Sequence, residues 1–132
     1  MKNIVIGLLL LVNLAFAQVI NFPISKNIVN SGIKIIDIRT KAEWLQTGII
    51  KGSKTITFFD ELGRYDVPKF LKALNAYVKP GEKFALVCRT GHRTKVVAAF
   101  LGKNGYKVID LLGGVNALAK DNYKFVKYEN NN

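Results

Sequence analysis

The chain has 132 residues, 20 of them Lys or Arg against nine Asp or Glu, with one cysteine and one histidine, and a formal charge of +11. That length supports one hydrophobic core rather than two; a single cysteine excludes an internal disulfide and, with a single histidine, a Cys/His metal centre, and no cofactor is called for. The basic excess favours anionic small molecules, acidic proteins or membrane surfaces, whereas lysines scattered along the chain argue against nucleic acid.

Lys2 precedes an apolar run over residues 4–16, and Ala15-Phe16-Ala17 offers the small-x-small pattern that a signal peptidase accepts, which predicts cleavage after Ala17. The run is shorter than the roughly 20 apolar residues of a spanning helix. Gln18 rather than cysteine follows the cut, so no lipid-modified N-terminus is expected. The expectation is a cleaved signal peptide over residues 1–17, a single domain over residues 18–132, no stable membrane insertion after cleavage, and export, to the periplasm in a Gram-negative host. Cleavage removes only Lys2 among the charged residues, leaving 115 residues. A free thiol in an oxidising compartment risks mispairing, so its presence there argues for reactivity.

The mature chain alternates strand and helix patterns. Residues 33–38, rich in isoleucine, read as a buried strand. Thr40 and Glu43 fit a capping box opening a short helix to Thr47, which Gly48 terminates. A second strand is expected over residues 54–58. Phe70, Leu71, Leu74, Tyr77 and Val78 line one face of a helix over residues 67–78, capped by Asp66 and with Pro68 in its first turn. Pro80-Gly81 turns the chain into an apolar strand, Phe84-Ala85-Leu86-Val87, that ends at Cys88. The next helix, residues 93–103, offers Val96, Val97, Phe100 and Leu101 to the core and leaves Lys95 and Lys103 in water. After Gly105 comes a strand over residues 106–111, and Leu112-Gly113-Gly114-Val115 leads into a last short helix. Strands separated by helices imply crossovers and an α/β fold, a mostly parallel sheet with helices on both faces. Ligands bind such sheets beyond the carboxyl ends of the strands, where Asp37 and Cys88 would share one rim.

The most informative segment is Cys88-Arg89-Thr90-Gly91-His92-Arg93. It carries the lone cysteine from a strand, through a glycine, onto a helix N-terminus. Unpaired N–H groups and the partial positive charge there stabilise a thiolate, and the two guanidinium groups add to that field. The amides of Thr90, Gly91 and His92 are expected to form a nest around the sulfur, with Gly91 at positive φ. The same donors would hold an anion or a second sulfur.

Three segments resemble the rhodanese family of single-domain sulfurtransferases. They are Ile36-Asp37-Ile38-Arg39-Thr40 with Glu43-Trp44 and Gly48-Ile49-Ile50-Lys51-Gly52-Ser53, then Val87 to Arg93, then Leu112-Gly113-Gly114-Val115. The resemblance implies a five-stranded, mostly parallel sheet between helices. It implies that Cys88 takes sulfur from an anionic donor such as thiosulfate, holds it as a persulfide and passes it to cyanide, a thiol or an acceptor protein. By the same analogy Arg89, Thr90, Gly91, His92 and Arg93 bind the donor, the two arginines stabilising the leaving sulfite, while Asp37 and Arg39 organise the site, Arg39 pairing with Glu43. The chain departs from the family pattern at Lys51, where proline is frequent, and in lacking a tryptophan soon after the double glycine.

Other cysteine chemistries fit less well. Phosphatases and arsenate reductases with a cysteine loop place five residues between cysteine and an anion-chelating arginine; here Thr94 holds that position and Arg93 comes one residue early. A thiol–disulfide oxidoreductase would show Cys-x-x-Cys. A persulfide carrier or oxidant sensor, acting on a protein partner with little small-molecule turnover, is the main alternative. His92 reads as a loop donor or solvated side chain rather than a general base.

Overall fold

The computed structural model describes residues 19–130, and the expected signal peptide lies outside the described residues. In chain order the elements are β1 (Val19–Pro23), α1 (Lys26–Val29), β2 (Lys34–Asp37), α2 (Lys41–Thr47), β3 (Lys54–Thr55), α3 (Val67–Tyr77), β4 (Lys83–Val87), α4 (His92–Lys103), β5 (Lys107–Leu112) and α5 (Gly114–Lys120). The strands form one sheet in the order β1-β5-β4-β2-β3, and each adjacent pair is parallel.

Successive residues of a strand face opposite sides of the sheet. Ile36, Phe84, Leu86 and Val108 pack with Phe70 and Leu74 of α3 and with Val97 and Leu101 of α4. On the other side Ile35, Ala85, Val87, Ile109 and Leu111 meet Val29 of α1 and Val115 and Leu118 of α5. The central strands are therefore apolar on both sides, as a parallel sheet covered by helices requires. Phe84, Leu86 and Leu74 are fully buried, and each such side chain contributes roughly 1.5–3 kcal/mol.

The helix ends form as their sequences direct. Thr40 Oγ1 accepts from the Glu43 N–H at 3.4 Å while Glu43 Oε1 accepts from the Thr40 N–H at 3.2 Å, completing the capping box of α2. Asp66 Oδ1 accepts from the Lys69 N–H at 3.1 Å at the start of α3, with Pro68 in the first turn. Gly48, at φ +78°, ends α2.

Three details differ from the sequence reading. The strand β1 and the one-turn helix α1 were not separated from the flanking sequence, because β1 is an edge strand whose residues are mostly exposed and carry no buried periodicity. Of the strand expected over residues 54–58 only Lys54–Thr55 forms a ladder; Ile56 and Phe58 continue beside β2 through N–H bonds to Asp37 and Ile38 carbonyls. Val96 is exposed, since the buried face of α4 runs through Thr94, Val97, Ala98 and Leu101. Among the described residues no helix is long and apolar enough to cross a membrane.

Candidate functional site

β4 ends at Val87, and Cys88 begins the loop that leads into α4. Gly91, the N-cap of α4, takes φ +101°, a region that residues with a Cβ rarely enter. This turn brings the Gly91 N–H to 3.2 Å from Cys88 Sγ, and it is the one loop amide bonded to the sulfur among the described residues. The nest expected from Thr90, Gly91 and His92 together is thus narrower at the sulfur. Thr94, in the first turn of α4, places Oγ1 3.7 Å from Sγ, where it accepts from the thiol, and donates to the Gly91 carbonyl at 3.3 Å. Cys88 and Thr94 are fully buried, whereas Arg89, Thr90 and His92 are exposed. Thr90 Oγ1 and His92 Nδ1 are hydrogen-bonded at 2.9 Å across the loop tip.

The backbone of this loop is held from behind by α5. Cys88 and Arg89 carbonyls accept from the Val115 and Asn116 N–H groups at 2.9 and 3.0 Å. The first N–H groups of a helix have no partner within it, so the start of α5 satisfies its own donors by fixing the loop. Because the C=O and N–H of one peptide unit point in opposite directions, the Arg89 and Thr90 amides are turned away from α5. The double glycine makes this approach feasible. A Cβ on Gly114 would fall only 2.6 Å from the Cys88 carbonyl oxygen and still nearer the Arg89 carbonyl, and Gly114 has φ +63°. Gly114→Ala is therefore expected to push the loop off its supports and lower kcat/KM for Cys88-dependent chemistry by about 10–100-fold, with the sheet intact by circular dichroism. Unchanged kinetics would show that the loop tolerates displacement.

Asp37 and Cys88 share the carboxyl-end rim, since β2 and β4 are neighbours and Asp37 lies opposite Val87. Arg39 does not pair with Glu43. Its Nε and Nη2 donate to Asp37 at 3.0 and 2.9 Å, its backbone N–H donates to the same carboxylate at 3.1 Å, and its remaining donors reach Thr47 Oγ1 at 2.8 Å and the Gly48 carbonyl at 3.0 Å. The guanidinium ties the end of β2 to the end of α2, with both charged groups fully buried. The family resemblance implied Glu43 as its partner; the structure supplies a nearer carboxylate two residues upstream.

Glu43 instead receives a two-pronged contact from Arg93, Nη1 to Oε1 at 2.7 Å and Nη2 to Oε2 at 2.8 Å, joining α2 to α4. The Arg93 guanidinium, then the Thr40 amide and hydroxyl, outweigh burial and bring the Glu43 carboxyl down from its ordinary 4.5 to about 2. The same contact raises the Arg93 pKa. Arg93 is thus half-buried and engaged in the scaffold, which changes its expected part as a donor-steering cation. A depressed folded-state pKa stabilises the fold above the unfolded value, and the gain is lost as pH falls from about 4.5 through about 2. Glu43→Gln is expected to cost about 1–2 kcal/mol near neutral pH, given partial solvation of the pair, and to converge with wild type as unfolding is measured at successively lower pH. A constant difference down to about pH 2 would contradict this.

The sequence reading did not give Thr94, Gly114 or Asp110 their places, and it placed Glu43 in the capping box without its contact with Arg93. Thr94 was visible only as the residue at which an arginine is missing. Gly114 was part of a recognised motif, but its contact with the Arg89 carbonyl depends on packing between segments distant in sequence.

A parallel α/β sheet with a cysteine loop at its carboxyl rim, seated on a helix N-terminus and braced by a Gly-Gly turn, defines the class of protein. Residues 24–121 match the family model described as the rhodanese-like domain, and the chain belongs to that family. An uncharacterized protein of Rickettsia prowazekii is 30% identical over 83 residues, covering 61% of this chain and 66% of that protein, just under two thirds of its length. The crystal structure of a rhodanese-related protein from Thermoplasma volcanium superposes with a TM-score of 0.61 at 20% identity, covering 80% of this chain and 98% of that one. A Rhodopseudomonas palustris protein of unknown function, described as a possible tyrosine phosphatase, superposes with a TM-score of 0.52 at 26% identity, covering 71% and 70%.

Proposed function

We propose that this protein is an exported sulfurtransferase that moves sulfane sulfur through a Cys88 persulfide. The observation that carries the reading is the loop geometry: a buried sulfur accepts from the Gly91 amide at 3.2 Å, with the neighbouring carbonyls drawn off to α5. In the first step the Cys88 thiolate attacks the outer sulfur of thiosulfate, an S–S bond forms to Cys88, and the sulfur–sulfur bond of the donor breaks with its electron pair leaving on sulfite. In the second, cyanide or a thiolate attacks the outer sulfur, and the pair returns to Cys88 as thiolate. Charge is conserved in both steps, and no external oxidant or reductant is needed.

Arg89, exposed and outside every ion pair among the described residues, draws in the anionic donor and offsets the charge developing on sulfite. Thr90, Gly91 and His92 supply amides around the outer sulfur. Arg93, Asp37 and Arg39 hold the loop's surroundings in place. The full burial of Cys88 favours a small donor over a protein disulfide. Phosphoryl transfer is the weaker reading, because Thr94 stands where the chelating arginine is needed and Arg93 is engaged by Glu43. Incubation with thiosulfate and cyanide should yield thiocyanate, whereas hydrolysis of an aryl phosphate without thiocyanate formation would overturn the assignment. If thiocyanate forms slowly while the persulfide is long-lived and discharges to a partner protein, the acceptor is that protein and the role is that of a sulfur carrier.

A further inference from the structure

β5 carries a carboxylic acid where its neighbours are apolar. Val108 packs on the α3/α4 side of the sheet, and Asp110, two residues on, faces the same way. In the parallel register Asp110 lies opposite Leu86, and Cys88 is two residues beyond Leu86 on that same side. Asp110 is only 2% exposed, and its Oδ1 has no hydrogen-bond partner among the described residues. A buried polar atom left unpaired costs on the order of 1–3 kcal/mol. The groups that face it are the Thr94 hydroxyl and the Lys95 ammonium on α4, with Leu86 on β4 and the uncharged Asn21 in register on β1. Thr94 in turn touches Cys88 Sγ. Burial pushes the Asp110 carboxyl above the ordinary carboxylate range, against the lowering effects of the Thr94 hydroxyl and the Lys95 charge.

We propose that Asp110 is a positioning residue for Cys88, acting through Thr94, whose hydroxyl it turns toward the sulfur when protonated and away from it when ionised. Thr94 Oγ1 carries a single hydrogen, directed at the Gly91 carbonyl at 3.3 Å while Cys88 is a thiol that donates to Oγ1, and free to turn to Sγ once the thiol proton is lost. A protonated Asp110 donates to Oγ1, which leaves that hydrogen for the Cys88 thiolate. An ionised Asp110 accepts it, so the thiolate loses a donor. The proton that leaves Asp110 goes to solvent.

This inference rests on Cys88 being the reactive centre, as in the proposed function, but its test does not depend on sulfur transfer. The readout is the rate of Cys88 alkylation by iodoacetamide across about pH 5–9, where thiol reactivity follows the thiolate fraction. The Asp110→Asn amide donates to Thr94 Oγ1 at every pH, so this variant should react about 3–10-fold faster than wild type on the rising limb of the profile. The acceleration should vanish in a Thr94→Val background and return with Thr94→Ser. If Asp110→Asn does not fold, Thr94→Val should react slower than wild type at the acid end of the range, where Asp110 is protonated and the hydroxyl serves the thiolate, and alike at the alkaline end, with Thr94→Ser matching wild type throughout. Superimposable profiles for Asp110→Asn and wild type, equal acceleration in the Thr94→Val background, or, where Asp110→Asn does not fold, no slowing in Thr94→Val would each overturn the proposal. Absence of thiocyanate formation with the predicted alkylation profiles would instead overturn the sulfurtransferase reading alone.

Discussion

Cys88→Ser is expected to abolish thiosulfate:cyanide sulfur transfer, with a loss of at least about 10³-fold in kcat/KM. Serine is nearly isosteric with cysteine, and the Gly91 amide and Thr94 hydroxyl that meet the sulfur can meet an oxygen, so the loop keeps its backbone supports from α5. The chemistry does not survive the exchange. A serine hydroxyl stays protonated near neutral pH and forms no stable oxygen analogue of a persulfide, so the two-step route closes. Residual thiocyanate should equal the rate without protein. Full activity in the variant would mean that the chain's one cysteine is not the sulfur carrier.

Asp37→Ala is expected to cost about 3–5 kcal/mol of folding stability, because it strands a charge in the core. The Arg39 side chain is 1% exposed and Asp37 is fully buried. Without the carboxylate the guanidinium keeps only Thr47 Oγ1 and the Gly48 carbonyl as side-chain acceptors. With a total stability of roughly 5–15 kcal/mol for a domain of this size, the loss should lower Tm by more than about 10 °C. Asp37→Ala/Arg39→Met removes both charges and should recover much of the difference, since apolar groups tolerate the site that a lone cation does not. A Tm for the single variant within about 2 °C of wild type would contradict the account. The residues would then be solvated, and Asp37 would have to be considered as a group acting on substrate.

These two sites show where sequence patterns reach and where they stop. Cys88 was legible because local chemistry announces it: an apolar strand, one cysteine, then a glycine at the start of a helix. The capping box at Thr40 and Glu43, the Asp66 cap and the buried run in β4 were legible for the same reason, each being set by residues within a few positions of one another. Asp37 was placed on the correct rim, but the family analogy paired Arg39 with Glu43, whereas the end of the strand offers it Asp37 two residues upstream. The Arg93–Glu43 contact spans 50 positions and links two helices, and no local pattern encodes it. Edge strand β1 escaped because only burial reveals a strand, and one side of β1 has no neighbour in the sheet. Asp110 lay within a correctly read strand, yet its meaning appears only when Leu86 stands opposite it and Thr94 above it.

The protein belongs to the rhodanese-like domain family, and the central claim is that Cys88 carries the transferred sulfur. Intact-mass measurement after brief exposure to thiosulfate tests it most directly. The account predicts a gain of about 32 Da, one sulfur atom, confined to the peptide containing Cys88, absent from Cys88→Ser and removed by cyanide as thiocyanate appears. No gain in mass, or the same gain in Cys88→Ser, would contradict it.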